Sequence, residues 1–251
     1  MKLDAAGTKT EREFWNGTHV SAIRYRMPSF WHIGTTNVIR LLRSRIPRGC
    51  RVLEIGFAPG KVLAKISREC NAAVAGIDYS ENGVKTGQEL FRRLGISADL
   101  RCEDIFSSSF PDQYFDFVFS LGLIEHFDHP EIVVERHWQL LKPGGRSLIA
   151  IPNYGGVYGK FQSRLDPKNL AIHNLNIMNI EALHRLVDKL RTSDSRAYSF
   201  GKINLSLLSF EKKLPPLMSR GLAEFGNLAG WLQPIDISWV RPLLVLEFTR
   251  D

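Results

Sequence analysis

Along this chain, short apolar runs ending in an acidic or small polar residue alternate with stretches whose apolar positions recur every three or four residues. Val52-Leu53-Glu54-Ile55 is the first such run, and Val62, Leu63, Ile66 and Cys70 follow at helical spacing. Val74-Ala75-Gly76-Ile77 ends at Asp78, after which Ser80-Glu81-Asn82 opens a helix carrying Val84, Leu90, Phe91 and Leu94. A third strand near Ala98–Arg101 leads to Asp104, and a polar loop, Ser107-Ser108-Ser109, precedes a fourth over Tyr114–Ser120. Asp128 and Glu131 have capping-box spacing around Pro130, which predicts a helix from about His129 to Leu141. Pro143-Gly144-Gly145 stops it before a fifth strand, Ser147–Ile151. Strands and helices alternating through short turns imply an α/β fold, with a parallel sheet and right-handed crossovers. Ligands bind beyond the carboxyl ends of such strands, where Glu54, Asp78, Asp104 and Ser120 all fall.

Beyond Pro152 the pattern loosens. Asn153-Tyr154-Gly155-Gly156-Val157-Tyr158-Gly159 reads as a loop overhanging the carboxyl end of the fifth strand. A helix is expected with Ile180, Leu183, Leu186, Val187 and Leu190 as its buried stripe, then strands near Ala197–Phe200 and Leu243–Thr249. About forty residues, Gly201 to Arg241, separate those last two strands, long for a connection. Leu222, Phe225, Leu228 and Leu232 within them have helical spacing. They read first as a helix packed over the substrate side. The alternative is an apolar surface for a lipid-linked or polymeric substrate at a membrane face.

The turn after the first strand, Glu54-Ile55-Gly56-Phe57-Ala58-Pro59-Gly60-Lys61, carries the first chemical signal. Gly56 and Gly60 allow a tight approach of backbone to ligand, and the following helix N-terminus offers unpaired N–H groups. A dinucleotide phosphate, a nucleoside triphosphate or a plain nucleoside would each suit such a turn. The P-loop spacing is absent: three residues separate the glycines and Val62 follows Lys61. The dinucleotide fingerprint is also broken, by Ala58 and Lys61. Glu54, an acid beside the turn, favours a cationic ligand over a pyrophosphate.

From about Val52 to Pro152 the chain resembles the class I S-adenosylmethionine-dependent methyltransferases. The resemblance rests on five motifs in that family's order: the Glu54–Gly60 turn, the strand ending at Asp78, Leu100-Arg101-Cys102-Glu103-Asp104-Ile105, Tyr114–Ser120 with Leu123-Ile124-Glu125-His126-Phe127, and Leu140–Ile149. Ala58 in place of a glycine is the departure. The resemblance implies a Rossmann-like fold, a seven-stranded, mostly parallel sheet with helices on both faces and an antiparallel last strand. It implies S-adenosylmethionine as cofactor, with Glu54 near the methionine amino end and Gly56, Phe57, Ala58 and Gly60 as the wall. Asp78, followed by Tyr79, would take the ribose, Asp104 and Ile105 the adenine, and the Ser120–Leu121 backbone would face the methionine. Residues 1–46 are then expected as an N-terminal helical cap. Residues 47–251 form the methyltransferase domain, with insertions at 152–178 and 201–240.

Composition narrows the setting. The 251 residues, 44% hydrophobic, suffice for one sizeable core. No apolar run is long enough to cross a membrane, and Met1-Lys2-Leu3-Asp4 opens no signal peptide. Cys50, Cys70 and Cys102 are scattered and read as reduced, so a cytoplasmic location is expected. The net charge of +7 is concentrated in residues 1–50, where nine Lys and Arg face Asp4, Glu11 and Glu13. Arg40, Arg43, Arg45 and Arg48 alternate with Leu41, Leu42 and Ile46, which reads as the solvated face of a packed helix. A patch for an anionic partner is the other reading. Nucleic acid is disfavoured as acceptor, because the basic excess is N-terminal and no added binding domain is evident. Phe14, Trp15, Tyr25, Phe30, Trp31 and His32 are packing aromatics or parts of a lid.

Methyl transfer from a sulfonium is an in-line displacement, and a hydroxyl acceptor must also lose a proton. Glu125 and His126 follow the fourth strand and are the leading acceptor-side candidates, with His126 as base. His173, followed by a helix cap as in small-molecule members of the family, and Tyr154 come second. No third ligand stands at a helpful spacing from Glu125 and His126, so no metal is expected. The expected function is methyl transfer to a small-molecule or glycan-type hydroxyl, with a lipid-linked acceptor and peripheral membrane contact in view. An NAD-type oxidoreductase is the competing enzyme, since Asp78 also suits a dinucleotide ribose, and a cofactor-binding module without turnover is the non-enzymatic alternative.

Overall fold

The computed structural model describes residues 6–20, 32–233 and 237–251. Tyr25, Phe30 and Trp31 of the N-terminal aromatic group lie outside these. Among the described residues, helices α1 (Arg12–Val20) and α2 (Ile33–Arg45) precede the sheet. Then β1 (Arg51–Ile55), α3 (Lys61–Cys70), β2 (Ala73–Asp78), α4 (Glu81–Leu94) and β3 (Ala98–Cys102) alternate. After β4 (Phe115–Leu121) come α5 (Pro130–Leu140) and β5 (Leu141–Pro152). The rest of the chain holds α6 (Val157–Leu165), α7 (Pro167–Ala171), α8 (Ile180–His184), β6 (Thr192–Phe200), α9 (Pro216–Leu232) and β7 (Leu243–Arg250).

The seven strands are ordered β3-β2-β1-β4-β5-β7-β6. All neighbours are parallel except β7, which runs antiparallel between β5 and β6. Strand alternation divides the apolar side chains between two cores. Val52, Phe117 and Phe119 face α2, α3 and α4 through Leu42, Leu63 and Phe91. Leu53, Ile55 and Val118 face the other side with Val133, Leu140 and Leu183. Burial of side chains of this size contributes roughly 1.5–3 kcal/mol each, which makes both helical layers stable parts of the fold.

Strand order reverses between β1 and β4, and register brings their ends level. Ile55 pairs with Ile77 on β2 and with Ser120 on β4, so Gly56, Asp78 and Leu121 emerge along one edge. That edge is where a ligand crevice opens in such a sheet.

Several elements differ from the reading of the sequence. Strand β5 begins at Leu141, with Pro143-Gly144-Gly145 accommodated at a register shift against β4 rather than preceding the strand. The helix expected from Ile180 runs only to His184 and continues as a 3₁₀ turn, Arg185–Val187; Ile180 is 47% exposed while Leu183 and Val187 are buried. The overhanging loop after β5 is short, because α6 already begins at Val157.

Helix α9 holds the largest surprise. It meets the body through Gly226, Asn227 and Gly230, not through its leucines. A Cβ on Gly226 would stand 2.6 Å from Leu205, and one on Gly230 2.6 Å from the Ile203 carbonyl oxygen. The glycines therefore let the helix seat closely on the Leu205 side chain and the Ile203 carbonyl. Its apolar stripe turns outward, with Leu217 84%, Phe225 62% and Leu232 69% exposed. No described helix is long and apolar enough to cross a membrane.

The basic cluster of α2 is largely engaged. Arg45 pairs with Glu247 at 3.1 Å, Arg43 with Glu69 at 3.1 Å, and Arg40 lies 5.4 Å over the Trp231 ring. This favours the packed-helix reading of that segment.

Candidate active site

A cleft of roughly 800 Å³, open mouth included, lies at the carboxyl ends of β1, β2, β3 and β4. The turn between β1 and α3 forms one wall. Gly56 has φ +73° and Gly60, at the N-cap of α3, φ +86°, conformations that an L side chain strains to adopt. Phe57 points away from the cleft and is buried over Gly76 and Gly87, so it anchors the turn from behind.

Asp78 lines the cleft with its carboxylate fixed by two backbone donors: the Ala58 N–H to Oδ2 at 3.1 Å and the Ser80 N–H to Oδ1 at 2.8 Å. Tyr79, Asp104 and Ile105 lie on the same wall, and Asp104 accepts a 3.0 Å bond from the Phe106 N–H. Leu121 lines the cleft, whereas Ser120 is fully buried and donates to His137 Nε2 at 3.0 Å. His137 Nδ1 lies 2.8 Å from the Val133 carbonyl oxygen, which marks it as a satisfied core histidine. Burial pushes its imidazole down to about 4. Glu54 is buried off the cleft wall, and Oε2 has no hydrogen-bond partner among the described residues. Burial first, then the nearby Asp78 charge, pushes its carboxyl well above the ordinary value.

The N-terminal segment closes the cleft from the other side. It pairs with the loop after β4 through a Thr8–Phe127 bridge, the Lys9 N–H to the His126 carbonyl at 2.8 Å, and the Asp128 N–H to the Gly7 carbonyl at 2.7 Å. Thr8, Thr10 and Trp15 thereby become wall residues, with Gly122, Leu123 and Phe127. Glu103, next to Asp104, joins them. Trp15 belongs to the aromatic group of residues 11–35, in which the sequence singled out no member; nothing in the local pattern marked the two threonines.

At one end of the cleft three side chains from two distant segments converge. Glu125 and His126 lie in a 3₁₀ turn, Ile124–His126, after β4. His173 is brought to them by Asn174, whose N–H donates to the Glu125 carbonyl at 2.6 Å and whose side chain donates to the Phe127 carbonyl at 3.0 Å. The two imidazole rings lie 4.7 Å apart, with Trp15 edge-on to His126 at 5.1 Å and Tyr154 edge-on to His173 at 5.2 Å. Burial pushes Glu125 up to about 8 and His126 down to about 4, and it lowers His173 too.

The strand order, with an antiparallel β7 and a crevice at the β1/β4 reversal, defines a Rossmann-like methyltransferase fold. Residues 53–149 match the family described as "Methyltransferase domain". That match covers less than half of the chain, and over it the chain is similar to the class I S-adenosylmethionine-dependent methyltransferases, whose cofactor is S-adenosylmethionine. It is 33% identical over 135 residues to phosphoethanolamine N-methyltransferase 2 of Caenorhabditis elegans, covering 51% of this chain and 30% of that protein. It is 28% identical over 105 residues to a ubiquinone biosynthesis O-methyltransferase of Chelativorans sp., covering 42% of this chain and 41% of the relative. The matches thus span less than half the length of either relative. In fold, the chain is similar to phosphoethanolamine N-methyltransferase 2 of Haemonchus contortus, solved with phosphomonomethylethanolamine and S-adenosylhomocysteine. That likeness has a TM-score of 0.66 at 18% identity, over 95% of this chain and 59% of the other.

Proposed function

We propose that this protein transfers the methyl group of S-adenosylmethionine to a hydroxyl on a small-molecule or glycan-type acceptor, in the cytoplasm. The observation that carries this reading is the junction of the strand-end cleft, lined by Asp78, Asp104 and the Gly56 turn, with the Glu125, His126 and His173 cluster at its end. In the proposed assignment Asp78 accepts the ribose hydroxyls, with Tyr79 beside it, and Asp104 with Ile105 meets the adenine. Gly56 and Ala58 form the wall, held by Phe57 and Gly60, and the Ser120–Leu121 backbone runs along the methionine. Glu54 supplies a buried carboxylate for the methionine ammonium, consistent with its orphan Oε2. The acceptor cluster removes the hydroxyl proton, with His126 as its cleft-facing member. Residues 1–46 act as a cap on the domain formed by 47–251, whose insertions 152–178 and 201–240 shape the acceptor side.

The exposed stripe of α9 supports a lipid-linked acceptor within the same reading. A helix seated on glycines, with leucine, methionine and phenylalanine outward and Lys212, Lys213 and Arg220 exposed nearby, has the make-up of a surface that rests on anionic lipid. The insertion is also tied to the site, since the Tyr154 hydroxyl donates to the Leu207 carbonyl at 2.9 Å while its ring touches His173.

Calorimetry with S-adenosylhomocysteine and NADH, followed by an S-adenosylhomocysteine-release screen of hydroxylated and amine acceptors, tests the function. Micromolar S-adenosylhomocysteine binding without NADH binding, and turnover on a hydroxyl compound, are expected. Turnover on amines alone would replace the hydroxyl assignment. Sedimentation with anionic vesicles tests the α9 reading, and no binding there would confine the acceptor to soluble molecules.

A further inference from the structure

The two imidazoles at the acceptor end are held in the same tautomer. His126 Nδ1 lies 3.0 Å from the Ile172 carbonyl oxygen, and His173 Nδ1 lies 2.7 Å from the Asn169 carbonyl oxygen. A carbonyl oxygen only accepts, so each Nδ1 carries the hydrogen and each Nε2 presents a lone pair. Glu125, 1% exposed, brings Oε1 to 4.0 Å from His126 Nε2, and its Oε2 has no hydrogen-bond partner among the described residues. One donor atom from each of the three residues lies within 4.8 Å of the others. Three electron-rich donors facing one another, one of them a buried acid with an unpartnered oxygen, leave a large polar cost uncompensated. A cation between them removes it.

We propose that Glu125, His126 and His173 bind a divalent transition-metal ion of the zinc kind at the acceptor end of the cleft. The donor set selects the ion: imidazole suits zinc, copper, iron and nickel, whereas magnesium, calcium and manganese prefer oxygen surroundings. Metal–nitrogen bonds of about 2.0–2.1 Å set donors on one ion roughly 3.3 Å apart, so the ion would draw these side chains slightly inward. The carbonyls of Ile172 and Asn169 are the outer partners that hold ligating histidines in orientation. Three protein ligands leave open positions, and His126 borders the cleft, so those positions face the acceptor.

The proposal rests on the acceptor-site reading above and says how the cluster removes the proton. The acceptor oxygen binds the ion, which lowers its pKa, and its proton passes to water. An oxygen lone pair then forms the bond to the methyl carbon. The carbon–sulfur bond breaks with its electron pair going to sulfur, which releases S-adenosylhomocysteine. The imidazoles serve as ligands in this scheme, in place of His126 acting directly as base.

The full-length protein, stripped with chelator, would be titrated with Co²⁺ while visible absorption is recorded, and with Zn²⁺ in a calorimeter. Expected are about one bound ion per chain with a cobalt–imidazole absorption band. Glu125→Gln and His173→Ala should each weaken binding by at least tenfold, as loss of even an outer partner costs about 10–100-fold. The exposed His129→Ala should bind normally. Affinity for S-adenosylhomocysteine, measured on every variant, reports folding independently of the ion. No cobalt binding by protein that holds S-adenosylhomocysteine would overturn the proposal. So would full turnover in chelator with His126→Ala inactive, a result that leaves His126 as the direct base. If the ion binds as expected but no acceptor is methylated, the ion site stands and the proposed function falls.

Discussion

The two sides of this cleft, one proposed here for the cofactor and the other for the acceptor, are built by different means. On the cofactor side, strand register and backbone donors do the positioning: Asp78 is held by the Ala58 and Ser80 N–H groups, and Asp104 by that of Phe106. Each of these contacts lies within a motif or between adjacent strands. On the acceptor side, side chains reach across the sequence. Tyr154 donates to Leu207, Tyr158 to the Val240 carbonyl at 2.9 Å, and the Gln162 side chain to Ser209 at 2.9 Å. The lesson is one of modularity. A site set by strand ends survives changes in its surroundings, whereas a site assembled from insertions depends on every anchor that holds them.

The largest expected effect breaks the acceptor side alone. His126→Ala should lower turnover about 10²–10⁴-fold, the usual cost of losing proton removal, with cofactor affinity nearly intact. Equal loss of S-adenosylhomocysteine binding by calorimetry would show that the two halves are not separable. Asp78→Ala is the converse. Losing charge-assisted bonds to two ribose hydroxyls should cost on the order of 2–4 kcal/mol of cofactor binding, with Asp78→Asn milder. Unchanged affinity in the folded variant would remove Asp78 from the ribose site.

Gly230→Val probes how the insertion is seated. A Cβ there meets the Ile203 carbonyl oxygen at 2.6 Å, so the helix must shift, at a cost of about 1–3 kcal/mol. Chemical denaturation should show that loss, and turnover should fall more than cofactor binding. A variant of unchanged stability would mean that α9 is not held by this contact.

The smallest effect concerns the scaffold shared by both halves. Burial pushes the Glu247 carboxyl up, but hydrogen bonds from Tyr198, Arg196 and Arg45 outweigh it, so its pKa lies below the ordinary 4.5. A folded pKa below the unfolded one means full stabilisation above the ordinary carboxyl range, lost as pH falls through the folded value. Because Arg196 is half exposed, about 1 kcal/mol is expected. Denaturation midpoints at pH 7 and pH 3 for wild type and Glu247→Gln measure it. An identical acid sensitivity of the two proteins would assign the loss to other carboxylates.

By itself the sequence determined the strand–helix alternation, the strand-end acids and the resemblance to the methyltransferases, because each is encoded within a few adjacent residues. Periodicity reports burial along one element, and a turn motif reports local backbone geometry. Tertiary structure decided what those local signals cannot carry. Glu125 and His126 stand next to each other in sequence, but His173 joins them only because Asn174 bonds back to Glu125 and Phe127. Spacing along the chain therefore showed two donors where the fold brings together three. The direction in which α9 faces was hidden for a related reason. Its leucines have the spacing of a buried stripe, yet Gly226 and Gly230 permit a closer approach, and the Leu205 side chain and the Ile203 carbonyl fill the space they leave. A hydrophobic pattern says that one face of a helix is apolar; which face packs is settled by the shape of the surface opposite.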